Sequence, residues 1–220
     1  MNTAILLYDR VTALDAIGPY EVLSRVPGNT VQFVATQPGE VRTDNGMLAL
    51  VAERSIEDVA APEIVLVPGG PGEVAARAGG AVLEWLRAAH ERTTWTASVC
   101  TGSLILAAAG ILAGKRATSH WLALEELGRL GAVPVSERVV FDGKIVTAAG
   151  VSAGIDMALA FAAKLAGEET AQAIQLGIEY DPQPPFDAGS PDKAPAAIVE
   201  LLSARSRFPA AAQGAPAARA

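Results

Sequence analysis

Continuous apolar runs alternate with segments of helical periodicity from residue 4 to residue 181. "AILLY" (4–8) has no polar interruption, as expected of a strand buried on both faces. In "DRVTALDAIGPYEVLSRVPG", Leu14, Ile17, Val22 and Val26 recur at helical spacing, and Pro27-Gly28 closes the segment. "VQFVAT" (31–36) reads as a second strand, and Asn45-Gly46 sits between apolar runs as a hairpin turn. "EIVLVPGGPG" (63–72) is a strand entering a Gly/Pro loop, "AVLEWLRAAHER" (81–92) an amphipathic helix, and "WTASV" (95–99) a strand. "TGSLILAAAGILAG" (101–114) is expected to be a helix closed by glycine. "ATSHWLALEELGRLG" (117–131) is a second one with Ser119 as its N-cap. "RVVFDGKIVTA" (138–148) reads as a hairpin around Asp142-Gly143, and residues 150–167 and 167–181 read as helices.

Strands alternating with helices, with apolar strand runs, predict an α/β sandwich on a mostly parallel sheet. Residues 1–200 are expected to form one domain. Within it, 182–200 hold a Pro-rich arm and a short helix, and 204–220 read as a low-complexity, disordered tail.

Composition narrows the function. Half of the 220 residues are apolar, with a mean hydropathy of +0.30. The net charge of −7 and the lack of any Lys/Arg cluster argue against nucleic acid and anionic membrane as partners. The N-terminus lacks a basic start, and no apolar stretch reaches membrane-span length, so a cytoplasmic protein is expected. With one cysteine and two histidines, a His/Cys metal cluster is not expected, and neither is a cofactor.

The candidate chemistry centres on the single cysteine, Cys100, between a predicted strand and a predicted helix. Ligands of parallel sheets gather at the carboxyl ends of strands. A thiol at a helix start meets unpaired backbone N–H groups that favour the thiolate. The competing reading is a small apolar residue filling the core. Gly69 and Gly70, just past another strand, can offer backbone N–H groups to developing negative charge, or simply make a turn. Asp15 either stabilises its helix or faces Cys100 from the loop after the central first strand. Beside a thiolate its carboxyl would hold its proton and act as an acid. Glu21 reads as packing or surface. His120 is a Cys–His base partner or a structural histidine. His90 is expected in solvent, and Trp85, Trp95 and Trp121 as packing residues.

"LDAIGPYEVL", "VPGGPG", "SVCTGSLILAAAGILAGKRATSHW", "ERVVFDGKIVTAAGVSAGIDMAL" and "EYDPQPPFDAGSPDKAP" together resemble the ThiJ/PfpI superfamily, and within it the isocyanide-hydrating group. The resemblance spans about residues 3–200. It implies a flavodoxin-like, class I glutamine amidotransferase-like three-layer fold and a homodimer with the site near the interface. Cys100 matches the family nucleophile, and Asp15 the acidic residue that contacts it. Gly70 matches the loop whose N–H faces the cysteine. Thr101 stands where protease members carry His. By the resemblance Val151 lies on a segment beside the cysteine: either its backbone bonds the thiol and shifts on adduct formation, or Gly150 simply opens a helix there. The implied activity is hydration of a small isocyanide to an N-substituted formamide through a thioimidate on Cys100. A glyoxalase or deglycase activity on small aldehydes and a cysteine-oxidation stress sensor are the alternatives.

Overall fold

The structure, a computed structural model, describes residues 1–208. The chain runs β1 (Asn2–Leu6), α1 (Ala13–Leu23), β2 (Thr30–Ala35), β3 (Gly39–Arg42), β4 (Ala49–Ala52), β5 (Arg54–Ser55) and β6 (Ile64–Val67). It continues through α2 (Glu73–Ala76), α3 (Ala81–Arg92), β7 (Trp95–Val99), α4 (Gly102–Ala108), β8 (Arg116–Ala117), α5 (Leu124–Arg129) and β9 (Val133–Pro134). The last elements are β10 (Val139–Asp142), β11 (Ile145–Ala148), α6 (Ala153–Ala166), α7 (Glu168–Gly177) and α8 (Ala196–Ala204).

Seven strands form one sheet in the order β10-β11-β7-β6-β1-β2-β5. Every pairing in it is parallel except β10 with β11. The expected α/β sandwich is thus observed, with α1, α6 and α7 packed together as one group of flanking helices and α2 to α5 as another. All four residues of β6 and all four of β11 are buried, which explains their unbroken apolar character. From β1 the chain builds outward to β2 and β5, then returns to β6 on the other side of β1. That reversal opens a crevice at the carboxyl ends of β1 and β6, the usual ligand position in such sheets.

Several expectations change in detail. The helix expected over 101–114 ends at Ala108, because Gly110 adopts a left-handed φ of 82° and turns the chain. The helix expected over 117–131 is a 3₁₀ turn at Trp121–Ala123 followed by α5. Its cap is His120, whose side chain accepts from the Leu122 N–H; Ser119 serves elsewhere. On α1, Leu14 is 42% exposed, while Asp15, Gly18 and Pro19 turn inward. The Pro-rich arm has no regular structure. Of the tail expected from 204, Ala204 closes α8 and residues 205–208 fold back toward the sheet, while 209–220 lie outside the described residues.

Candidate active site

Three loops meet at the crevice: those after β1, β6 and β7. Cys100 follows β7 directly and holds a φ of 56°, a left-handed conformation that is strained for a residue with a side chain. Its N–H donates to the carbonyls of Ala149 (2.8 Å) and Ala148 (3.1 Å). Its own carbonyl accepts from Ser119 Oγ (3.0 Å) and Ser103 Oγ (3.1 Å). Four hydrogen bonds on one peptide segment hold the strained turn. Two positions on, residue 102 must be glycine, since a Cβ there would lie 2.0 Å from the Val67 carbonyl oxygen. Cys100 is 6% exposed, and the Thr101 N–H is directed at its thiol.

Asp15, in the first turn of α1, is fully buried. Its Oδ2 accepts from the Gly69 N–H at 2.9 Å. Oδ1 is buried without a well-formed hydrogen bond, and the Cys100 thiol lies against the carboxyl. Burial pushes the Asp15 carboxyl up to about 7, against the opposing pull of the Gly69 N–H and the thiol. The raised pKa expected from the sequence is present, but desolvation is its leading cause rather than a neighbouring thiolate. The thiol is also raised well above its ordinary value, by burial first and by Asp15 second. The thiolate expected from the helix start is therefore not the resting form: desolvation outweighs the backbone donor. Near neutral pH the thiol keeps its proton, and the carboxyl, titrating at about 7, can give up or take back its own.

Gly69 has no room for a side chain. A Cβ would sit 2.5 Å from the Thr101 nitrogen and 2.8 Å from Asp15 Oδ2. The Gly70 N–H, expected to face the cysteine, donates instead to Thr101 Oγ1 at 3.0 Å. Thr101 thus acts twice, by its N–H toward the sulfur and by its hydroxyl as the acceptor that anchors the Gly70 loop. His120 lines the same cavity, but its Nδ1 bond runs to the Leu122 N–H (3.3 Å). Among the described residues no hydrogen bond joins it to Cys100. Burial lowers its pKa, so the ring is neutral. Val151 also reaches the cavity wall. His90, expected in solvent, is half-buried at the far end of β7, with Nδ1 2.8 Å from Thr96 Oγ1. Trp85 and Trp95 pack as expected, Trp95 edge-on to Phe141 and Phe161.

The cavity over Cys100 measures about 410 Å³. Three contributors escaped the sequence reading. Tyr8 hydrogen-bonds the Pro68 carbonyl at 2.8 Å and braces the Gly69 loop. Glu73, at the start of α2, is fully buried beside Arg77 Nε (2.8 Å) and Arg207 Nη2 (3.5 Å). Arg207 also donates to the Gly70 carbonyl at 3.3 Å. An acidic residue just after "PGGPG" reads locally as helix-terminal charge, and "SRF" in an alanine-rich tail carries no periodic signal. A second cavity, of about 570 Å³, adjoins the first through His120 and Val151 and is lined by Leu14, Trp121, Leu124 and part of the Pro-rich arm. No described helix is long and apolar enough to cross a membrane.

The sequence profile of the DJ-1/PfpI family matches residues 1–164. The chain is 44% identical over 206 residues to an isonitrile hydratase from Pseudomonas putida, covering 94% of this chain and 90% of that protein. A crystal structure of a ThiJ/PfpI family protein from Pseudomonas syringae superposes with a TM-score of 0.90 at 37% identity, covering 93% of this chain and 85% of the other. Drosophila melanogaster DJ-1beta shares the fold at a TM-score of 0.74 and 24% identity, covering 81% of this chain and 97% of that one.

Proposed function

The chain belongs to the DJ-1/PfpI family, and from that premise we propose that it hydrates isocyanides to N-substituted formamides, with Cys100 as nucleophile and Asp15 as proton shuttle. The observation that carries this reading is the buried Asp15–Cys100 pair, both groups raised toward their protonated forms. Forming a thioimidate from R–N≡C needs one proton on the terminal carbon and one sulfur on the same carbon. As Sγ attacks, the thiol proton passes through the Asp15 carboxyl to that carbon, giving R–N=CH–S–Cys100. Water then adds across the C=N bond, its proton moving through Asp15 to nitrogen. Collapse breaks the C–S bond, releases R–NH–CHO and returns the proton to sulfur. The Gly69 N–H keeps Oδ2 in place through the cycle, and the Thr101 N–H steadies charge on the sulfur. The 44% identity to an isonitrile hydratase supports this substrate class. A resting thiol, which brings the proton that the isocyanide carbon takes up, suits this addition better than it suits an oxidation sensor, which relies on thiolate.

The same reading calls for a reducing compartment, the cytoplasm, where a lone thiol stays free. It also includes a homodimer, supported by the exposed Leu14 beside half-buried Ile17 and Ile155.

The test is turnover of an aryl isocyanide, followed as formamide absorbance. Wild type should turn over, and Cys100→Ala and Asp15→Asn should each lose on the order of 10³-fold or more in kcat. No wild-type turnover on several isocyanides, or full activity in Cys100→Ala, overturns the reading.

A further inference from the structure

The outer wall of the Cys100 cavity comes from the end of the described chain: Leu202, Arg205, Ser206, Arg207 and Phe208. The facing wall includes Pro71, Leu122 and Val151. This outer wall lies beyond residues 1–164, the part that matches the family profile.

Its attachment is narrow. The α8 helix that leads into it has no buried residue. Beyond α8, Phe208 packs against the core and Arg207 makes the polar grip. The Arg207 guanidinium donates to the Gly70 carbonyl at 3.3 Å, lies 3.5 Å from Glu73 Oε1, and sits over the Phe208 ring at 4.7 Å. Glu73 explains why this grip exists. A fully buried carboxylate needs compensating positive charge, and its other partner, Arg77, is shared with Glu126 at 2.7 Å. Arg207 supplies the second cation and so is drawn to one place on the body of the protein. Gly70, which Arg207 also holds, donates to Thr101 Oγ1. The wall and the catalytic loop are therefore tied through one residue.

We propose that Arg207 is a specificity-positioning residue: by gripping Glu73 and the Gly70 carbonyl it fixes residues 202–208 as the wall that limits the size of the group able to reach Cys100. The inference rests on Cys100 being the reacting atom, and not on the identity of the substrate.

The single cysteine makes a direct test possible, because every alkylation event reports Cys100. Alkylation rates with iodoacetamide and with a bulky N-aryl maleimide are measured on the full chain for wild type, Arg207→Ala, Arg207→Lys, Glu73→Gln and Leu202→Trp. The quantity read is the ratio of bulky to small rates, which cancels any change in thiolate fraction. Arg207→Ala and Glu73→Gln should raise that ratio by about tenfold, a discrimination typical of pocket walls. Arg207→Lys should fall between, and Leu202→Trp should lower the ratio below wild type. Leu202→Trp leaves the Glu73 ion pairs in place, so an unchanged ratio in this variant overturns the wall itself even where loss of Arg207 or Glu73 impairs folding, and Arg207→Lys, which keeps the charge, tests the grip. An unchanged ratio in the folded variants, or equal acceleration of both reagents, overturns the proposal. Failure of the enzyme to hydrate isocyanides leaves this ratio measurable, so the two readings fail separately.

Discussion

At the scale of single residues, the site is governed by where two protons sit. Burial raises both Asp15 and Cys100, so the carboxyl departs from its ordinary 3.8 and reaches about 7. This has a cost that stability measurements can read. The unfolded chain releases the Asp15 proton near 3.8, while the folded chain keeps it until about 7. Between those values the folded state binds more protons, so stability falls as pH rises, and above about 7 the loss is complete. The size is about 4 kcal/mol from this one group. Asp15→Asn keeps an acceptor for the Gly69 N–H and removes the charge. Its urea-unfolding free energy should therefore fall less than that of wild type between pH 4 and pH 8, and the variant should be the more stable protein at pH 8. Glu73 is also raised by burial, but it is common to both proteins and cancels in the difference. Equal pH dependence in the two proteins would show that Asp15 is ionised in the folded state at low cost.

At the scale of elements, the positions that the sequence made legible are those with a period or a punctuated turn. The runs 81–92 and 95–99 match α3 and β7 end to end, and both predicted hairpins form around Asn45-Gly46 and Asp142-Gly143. The four-residue α2 and the two-residue pair β8–β9 are too short to carry a period. In the site, Cys100, Thr101, Gly69 and Gly70 are legible because each flanks a strand end. Arg207 is not, because its partner Gly70 lies 137 positions away in sequence. Periodicity holds for Val22 and Val26, both buried, but misjudged the first half of α1, where Asp15, Ala16, Gly18 and Pro19 face inward and Leu14 is exposed. The reason lies across the interface, where α1 and α6 approach through small residues. A Cβ on Gly154 would lie 3.1 Å and 3.2 Å from the two methyls of Val99 and 3.3 Å from Pro19 Cδ. Val99 precedes the strained Cys100, so pushing on it also disturbs the nucleophile. Gly154→Val should cost about 1–3 kcal/mol of overpacking and lower turnover. Gly177→Ala is the control, since nothing lies within 4 Å of its added carbon. Urea midpoints of the two variants check this, and equal midpoints would mean that α6 shifts freely.

At the scale of the whole molecule, the exposed apolar surface is unevenly placed. Leu14 on α1 is 42% exposed beside the half-buried Ile17 and Ile155, and the adjoining cavity is walled by Trp121, Leu124 and the Pro-rich arm. Helix α8 has nine residues and none is buried, with Ile198, Leu201 and Leu202 between 43% and 46% exposed. A helix of that length is not stable in water on its own propensity, so an apolar face left open calls for a covering surface. A second copy of the chain is the occupant we infer, because the α1 face, the arm and the second cavity form a patch that one two-fold contact can cover with its own counterpart. Light scattering on the purified protein should therefore give twice the 22.6 kDa chain mass. Leu14→Arg introduces a charge at the patch without touching the core, and it should shift the mass toward one chain while leaving the circular dichroism spectrum unchanged. The two outcomes separate cleanly. A wild-type monomer means that α8 and the Leu14 face are covered by another partner. A dimer that survives Leu14→Arg means that the contact runs through the arm and α8 instead of α1. A dimer that dissociates places the mouth of the second cavity, and with it His120 and Val151, at the subunit boundary.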